Sequence, residues 1–114
     1  MFKKLCLFLT AMLLSAFVLA SPAQQERQEF CVFVANNAAQ AAAAKQLKMS
    51  QSDFENKLNE YLLVLFMQTI PSGVLTEDQF NEIALAMKEG YAQGRPPAVA
   101  GEAAFNACMN KKST

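Results

Sequence analysis

Residues 61–73 read YLLVLFMQTIPSG, seven apolar residues in unbroken succession followed by a mixed stretch and a Pro-Ser-Gly stop. As a helix, the apolar run 61–67 is only about 10 Å long, whereas the hydrocarbon core of a bilayer is about 30 Å thick. Charged residues directly before the run, Glu55, Lys57 and Glu60, make insertion still less favourable. We therefore expect the middle of a buried core helix. A partner-binding surface is the alternative interpretation, and a membrane segment is the least favoured one.

Capping residues, prolines and glycines divide the rest of the chain into further helical stretches. Ser21 before Pro22 resembles a capping box with proline at the first helical position, and Thr76 with Gln79 forms a second capping box. Gly94 is typical of a helix C-terminus, and the Arg-Pro-Pro of residues 95–97 indicates an extended linker. The predicted helices are residues 21 to about 47, residues 50 or 52 to about 69, residues 76 to 94, and about 99 to 110.

Apolar residues recur at three- and four-residue steps in these helices, as expected where each helix buries one face. The first stripe consists of small residues, which let another helix come close. Its members are Cys31, Val34, Ala35, Ala38, Ala41 and Ala42. In the third helix the apolar stripe is Phe80, Ile83, Ala84, Met87 and Tyr91, and the predicted solvent side is Glu77, Asp78, Asn81, Glu82, Lys88 and Glu89. The pattern predicts an all-α bundle of three to four helices, with the helix of residues 50–69 at its centre.

The N-terminus predicts export. Residues 1–20 comprise a short basic start, an apolar stretch of 16 residues and a small-residue ending, which is typical of a cleaved secretory signal peptide. Cleavage is expected after Ala20 or Ala23. The alternative, an uncleaved anchor, is disfavoured because the stretch is shorter than the roughly 20 residues that span a bilayer and no basic cluster follows it. Residues 21–114 are then one helical domain in the periplasm or outside the cell.

Cleavage of the predicted signal peptide changes the net charge of the chain. Lys3 and Lys4 depart with it, so residues 21–114 carry eight basic against ten acidic residues. A net charge of about −2 gives no reason to expect nucleic acid or an anionic membrane surface as a partner. A domain of this size buries only roughly 60 to 65% of its unfolded surface, so a covalent cross-link would stabilise it substantially.

The cysteines provide such a cross-link. Cys6 departs with the signal peptide, which leaves Cys31 and Cys108 in a compartment where disulfides form. Closing a loop of this length stabilises the fold by up to about 4.5 kcal/mol in the chain-entropy treatment. The alternative, a redox-active pair, lacks the Cys-x-x-Cys spacing. We expect a structural disulfide between the first and last helices.

Several classes of chemistry are disfavoured by what the sequence lacks. It contains no histidine, so histidine-based triads and the commonest transition-metal ligand are excluded. With both remaining cysteines in a disulfide, no zinc ligand set is left. No nucleotide-binding or nucleophile-elbow motif occurs. We therefore expect no enzyme, no metal and no cofactor.

Four elements follow the predicted signal peptide: an early Cys31 that opens an Ala-rich helix, Ser50-x-x-Asp53-Phe54, the helix from Ala86-Met87 to Tyr91, and the terminal Phe105-x-x-Cys108. This arrangement resembles small exported helical proteins of unknown function from proteobacteria and their prophages. More distantly, it is similar to the Tai-type periplasmic immunity proteins of type VI secretion, helical proteins that block a cell-wall amidase. The resemblance implies an inhibitory binding function.

Two functional hypotheses follow. The favoured one is an exported module of the immunity or inhibitor type that binds another protein through surface complementarity, and the alternative is a small periplasmic chaperone or stress protein. A homodimer is left open, and no stable membrane insertion is expected after cleavage. The predicted partner surface combines apolar residues of the second helix with residues of two proline-containing connections, which hold their shape at low entropic cost. It consists of Leu63, Phe66, Met67, Ile70, Val74, Arg95 and Val99.

Overall fold

Within residues 22–111, which the computed structural model describes, the chain forms four helices and no strand. The predicted all-α fold is confirmed. The predicted signal peptide, residues 1–20, and the predicted cap Ser21 lie outside the described residues. The helices are α1, Pro22–Gln46; α2, Gln51–Thr69; α3, Glu77–Gln93; and α4, Pro97–Asn110.

Contacts divide the chain into two units, Met1–Phe30 and Cys31–Thr114. In the described part of the first unit, which is the start of α1, the Arg27 guanidinium lies 5.5 Å from the centroid of the Phe30 ring. The second unit contains the rest of α1 and the three other helices, and the packing described below is entirely within it.

The predicted capping residues determine where α2 and α3 begin. Ser50, not Ser52, is the N-cap of α2, and its hydroxyl accepts a hydrogen bond from the Asp53 amide at 3.2 Å. Thr76 and Gln79 form the complete capping box of α3, because each side chain bonds the other residue's backbone amide, at 3.1 and 3.0 Å. Gly94 ends α3 in the left-handed region with φ 61°. The sequence therefore predicted these helix ends correctly.

The start of α4 differs from the prediction. The helix begins at Pro97, two residues before the predicted start, so residues 95–97 are not all extended. Proline lacks an amide hydrogen and has a helical φ, and both properties suit the first position of a helix, where the amide has no intrahelical acceptor. The Ala100 amide donates to the Pro96 carbonyl at 2.9 Å and closes this first turn.

Ring contacts show that α2 and α3 run antiparallel. Near the start of α2, Phe54 stacks on Tyr91 of α3 with centroids 4.1 Å apart. Near its end, Phe66 meets Phe80 edge-on at 5.4 Å. The Tyr91 hydroxyl also donates to the Met49 carbonyl at 2.6 Å, which ties α3 to the connection between α1 and α2.

The Ala-rich helix α1, rather than α2, lies between its neighbours, so the predicted position of α2 at the centre is wrong. A Cβ atom at Gly90 of α3 would lie 2.6 Å from the Ala38 carbonyl oxygen, and one at Gly101 of α4 would lie 3.3 Å from the Ala35 carbonyl oxygen. Small residues on both sides let the backbones approach this closely. Alanine side chains are short, so neighbouring helices can approach the backbone of α1 closely. The side chains of α2 are bulkier and keep neighbouring helices further away.

The disulfide between Cys31 and Cys108 is present, as predicted, and joins α1 to α4 across 77 positions of sequence. The two Cα atoms lie 5.5 Å apart, and both residues are buried. The cross-link therefore connects two helices that already pack through small side chains.

The core largely follows the predicted stripes. On α1, Ala35 is half-buried and the rest of its stripe is buried; on α3, Phe80 and Ala84 are half-buried. Glu82 departs from its predicted place on the solvent side, because its side chain is only 13% exposed and lies 4.0 Å from the Lys111 ammonium. Packing of α4 against α3 covers this position. The buried members of the two stripes are Cys31, Val34, Ala38, Ala41, Ala42, Ile83, Met87 and Tyr91.

Candidate interaction surface

Helix α2 buries one side and exposes the other. Phe54, Leu58 and Leu65 are buried, whereas Leu63 and Met67 are 61% and 66% exposed. The apolar run of residues 61–67, predicted as the middle of a buried core helix, is therefore buried only on one side. The physical reason is that α2 packs at the edge of the bundle, where α1 and α3 cover only part of its circumference.

Three exposed apolar residues of α2 and the half-buried residue directly after the helix form one continuous row, which we term the outer stripe: Leu63, Phe66, Met67 and Ile70. At 100° per residue these positions fall within an arc of about 100°, on the side opposite the buried row. Phe66 is 40% exposed because its ring rests against Phe80, and Ile70 is half-buried. Thus two members of the stripe are partly fixed by packing, and the other two project into solvent.

The turn after α2 extends this apolar surface. Val74 is 69% exposed, yet its amide donates to the Thr69 carbonyl at 3.0 Å. The Ser72 hydroxyl donates to the Gln68 carbonyl at 2.9 Å, and Gly73 adopts φ 75°, which glycine reaches without strain. Side-chain and backbone bonds therefore hold Val74 at a defined position beside the end of the stripe.

The other two predicted surface residues lie elsewhere. Arg95 and Val99 are exposed but follow α3, whose 17 residues span about 25 Å. Val74 precedes the same helix. The structure thus brings together the five residues from α2 and its turn, and it places Arg95 and Val99 at the opposite end of α3.

Sequence reasoning missed a groove of about 400 Å³ between α1, α3 and α4. Its floor consists mainly of small residues, including Ala38, Gly90 and Ala104, and Glu82 and Lys111 lie at its edge. The frequent Ala and Gly residues of α4 were the signal that a shallow surface of this kind would form. Another depression, of about 390 Å³, lies over the stacked rings near the start of α2 and is lined by Phe54, Leu58, Tyr91, Ala92, Gln51, Glu55, Asn59 and Lys88.

A polar pair formed by the buried Asn37 and the half-buried Tyr61 connects α1 to α2. The Tyr61 hydroxyl donates to the Asn37 side-chain oxygen at 2.6 Å, and the Asn37 amide group donates to the Phe33 carbonyl at 2.8 Å. Burial raises the pKa of the Tyr61 phenol above 10.0, and the hydrogen bond with Asn37 opposes the rise. The pair fixes how α2 sits along α1, because any shift would leave buried polar atoms without partners.

Acidic residues lie at both ends of the outer stripe, and residues 61–87 contain no basic residue. Glu60 precedes Leu63 by one helical turn, and Glu77 and Asp78 begin α3 directly after the turn; all three are exposed. Between Lys57 and Lys88 the sequence contains four acidic residues and no basic one. The apolar surface therefore has an acidic border.

No group of three or more histidine, cysteine, aspartate or glutamate side chains within residues 22–111 is arranged to hold a metal ion. No helix in that same part of the chain is long and apolar enough to cross a membrane. Comparisons with protein-family models, with curated proteins and with solved structures gave no match. The resemblance to exported proteobacterial proteins and to Tai-type immunity proteins accordingly stays a prediction.

Proposed function

We propose that the protein is exported to the periplasm and acts there as a binding module of the inhibitor or immunity type, with the outer stripe as its contact surface. The observation that carries the proposal is the exposure of Leu63 and Met67 in the second half of a helix whose other side is buried. Exposed apolar rows on small domains commonly mark interaction sites.

Two features support export. The pattern of residues 1–20 is typical of a signal peptide. The Cys31–Cys108 disulfide is of the kind that forms and persists in oxidising compartments such as the periplasm.

Rigidity supports binding. The disulfide limits motion of α1 and α4, the close contact at Gly90 fixes α3, and the Asn37–Tyr61 bond fixes α2. A surface that is already ordered loses little conformational entropy when a partner docks. Full burial of a side chain such as Leu63 contributes about 1.5–3 kcal/mol, so two or three anchors supply substantial affinity.

Site-specific photo-crosslinking in the native cell tests the proposal. A photoreactive residue replaces Met67 in one strain and Asn56 in another; both are exposed on α2, and Asn56 lies about 16 Å from Met67 along the helix. We expect one predominant cross-linked protein from position 67 and none from position 56. Equal labelling at both positions, or none at either, would contradict the proposed contact surface.

A chaperone is the second candidate, since the same exposed row would also hold unfolded chains. It predicts cross-links from Met67 to many proteins, together with suppression of aggregation of an unrelated denatured protein. The matched variants Met67→Ser and Leu47→Ser distinguish a specific role of the stripe from general hydrophobicity, because Leu47 is exposed but lies outside the stripe. Loss of suppression with Met67→Ser alone would support the chaperone.

A further inference from the structure

We infer that α2 is inserted as a ligand helix into an apolar groove of another protein, and that this groove is bordered by lysine or arginine side chains. The inference rests on the proposed function and adds the chemistry of the partner. It depends on the spacing of the anchors, the size of the exposed surface and the sign of the surrounding charge.

The spacing of the anchors matches a helix that docks in a groove. Leu63, Phe66, Met67 and Ile70 stand at positions i, i+3, i+4 and i+7, the pattern by which amphipathic helices fill hydrophobic clefts. Here the helix is already folded and fixed on its inner side by Phe54, Leu58 and Leu65, so the partner does not have to order it.

The size of the exposed surface favours a groove over a flat partner. The outer stripe is about 10 Å long, and a flat contact along it falls well short of the roughly 800 Å² per partner of a stable interface. A groove also covers the flanks of the helix, where Val64 is exposed, and reaches Val74 in the turn. The partner is therefore expected to surround the outer half of α2.

The surrounding charge specifies the border of the groove. Glu60 lies at one end of the stripe, one turn after Lys57, and Glu77 and Asp78 lie beyond the other end. Residues 61–87 contain three acidic residues and no basic one. The positive end of the α3 dipole offsets Glu77 and Asp78 in part, since both lie in its first turn. The last turn of α2 has no basic residue to offset the partial negative charge of its own C-terminus. Basic side chains are the complement of such a border.

The same charges disfavour the other occupants. In a two-fold dimer the same patch meets itself, so the acidic ends of the stripe would face the acidic ends of the other copy. An anionic lipid surface would repel them as well. A basic-bordered protein groove satisfies both the apolar stripe and its acidic border.

The test uses the full chain, processed by the cell, and the protein that the cross-link at position 67 identifies, purified as a probe. Binding is measured at about 0.05 M and about 0.5 M salt, because screening separates border charges from apolar anchors. The combined variant Glu60→Gln, Glu77→Gln, Asp78→Asn is expected to weaken binding about tenfold at the lower salt, mainly through slower association, and far less at the higher salt. The matched control, Glu89→Gln with Glu102→Gln, removes two exposed acidic residues elsewhere and should leave binding unchanged.

The anchors provide the second measurement. Leu63→Ser with Met67→Ser should weaken binding by at least about 100-fold at both salt concentrations. Circular dichroism confirms that every variant is folded. If the triple variant binds as tightly as the parent at low salt, the inference of a basic-bordered groove is overturned and the proposed function still stands.

Two further outcomes would overturn the inference by revealing another occupant. One is self-association of the purified chain in sedimentation equilibrium that Leu63→Ser abolishes. The other is stripe-dependent binding to phosphatidylcholine vesicles with about one-third phosphatidylglycerol. Absence of any cross-link at position 67 would overturn the proposed function and this inference together.

Discussion

Substitution of Gly90 by alanine tests the close packing of α3 on α1. An added Cβ would lie 2.6 Å from the Ala38 carbonyl oxygen, whereas carbon and oxygen atoms in ordinary close contact lie about 3.3–3.6 Å apart. Because the contact is with backbone, no side chain can rotate away, and α3 must move outward by roughly 0.7–1 Å. Neighbouring core residues Met87 and Tyr91 must move with it.

The magnitude follows from two opposing effects. Such overpacking typically destabilises a fold by about 1–3 kcal/mol, and a contact between backbones belongs at the upper end of that range. Alanine gains about 1 kcal/mol over glycine in a helix interior. We expect Gly90→Ala to lower the free energy of unfolding by about 2 kcal/mol and the melting temperature by about 10 °C.

Gly101→Ala is the matched control, since its Cβ would lie 3.3 Å from the Ala35 carbonyl oxygen, a distance that a shift of a few tenths of an ångström relieves. Its helix-propensity gain should offset the small strain, leaving stability within about 1 kcal/mol of the parent. Urea unfolding followed by circular dichroism, with the disulfide intact, measures both variants. A Gly90→Ala protein as stable as the parent would refute the proposed closeness of α1 and α3.

Three other predictions concern stability. Replacing Cys31 and Cys108 by alanine should lower the free energy of unfolding by up to about 4.5 kcal/mol in urea titrations, because the unfolded chain regains its freedom; an unchanged midpoint would contradict this. Lys48 holds φ 63° in the turn after α1, so Lys48→Gly should raise the melting temperature through relief of about 1 kcal/mol of left-handed strain, and a lower value would argue against that conformation. Burial raises the pKa of Tyr61 above its unfolded value of 10.0, so its stabilising contribution is complete below pH 10 and is lost as the pH rises through the folded pKa. Tyr61→Phe should remove that alkaline loss from a pH series of unfolding measurements, and an unaltered profile would show that another group is responsible.

Local signals predicted the helices well because helix ends depend on nearby residues. The capping box of Thr76 and Gln79, the cap at Ser50 and the left-handed Gly94 each act within a few positions of the chain. The start of α4 was less predictable, since Pro97 is compatible with both an extended linker and a first helical position.

The seven residues of the predicted partner surface do not form one patch in the structure. Five of its seven residues lie together on α2 and the following turn, whereas Arg95 and Val99 lie beyond the far end of α3. The apolar run of residues 61–67 predicts a central helix because it is too short to cross a bilayer and follows charged residues, yet in the structure one side of this helix is exposed. Hydrophobicity alone does not distinguish a side chain buried in the core from one exposed on the surface.

The amino-acid sequence by itself determined the helical class, the four helical stretches and the pairing of Cys31 with Cys108, because periodicity, caps and cysteine number are properties of the chain alone. Only the tertiary structure decided which helix occupies the middle. That position went to α1, whose alanines allow the backbones of α3 and α4 to approach at Gly90 and Gly101. Helix α2, which has bulkier side chains, lies at the edge with its outer stripe exposed, because helices that meet through small side chains pack most closely.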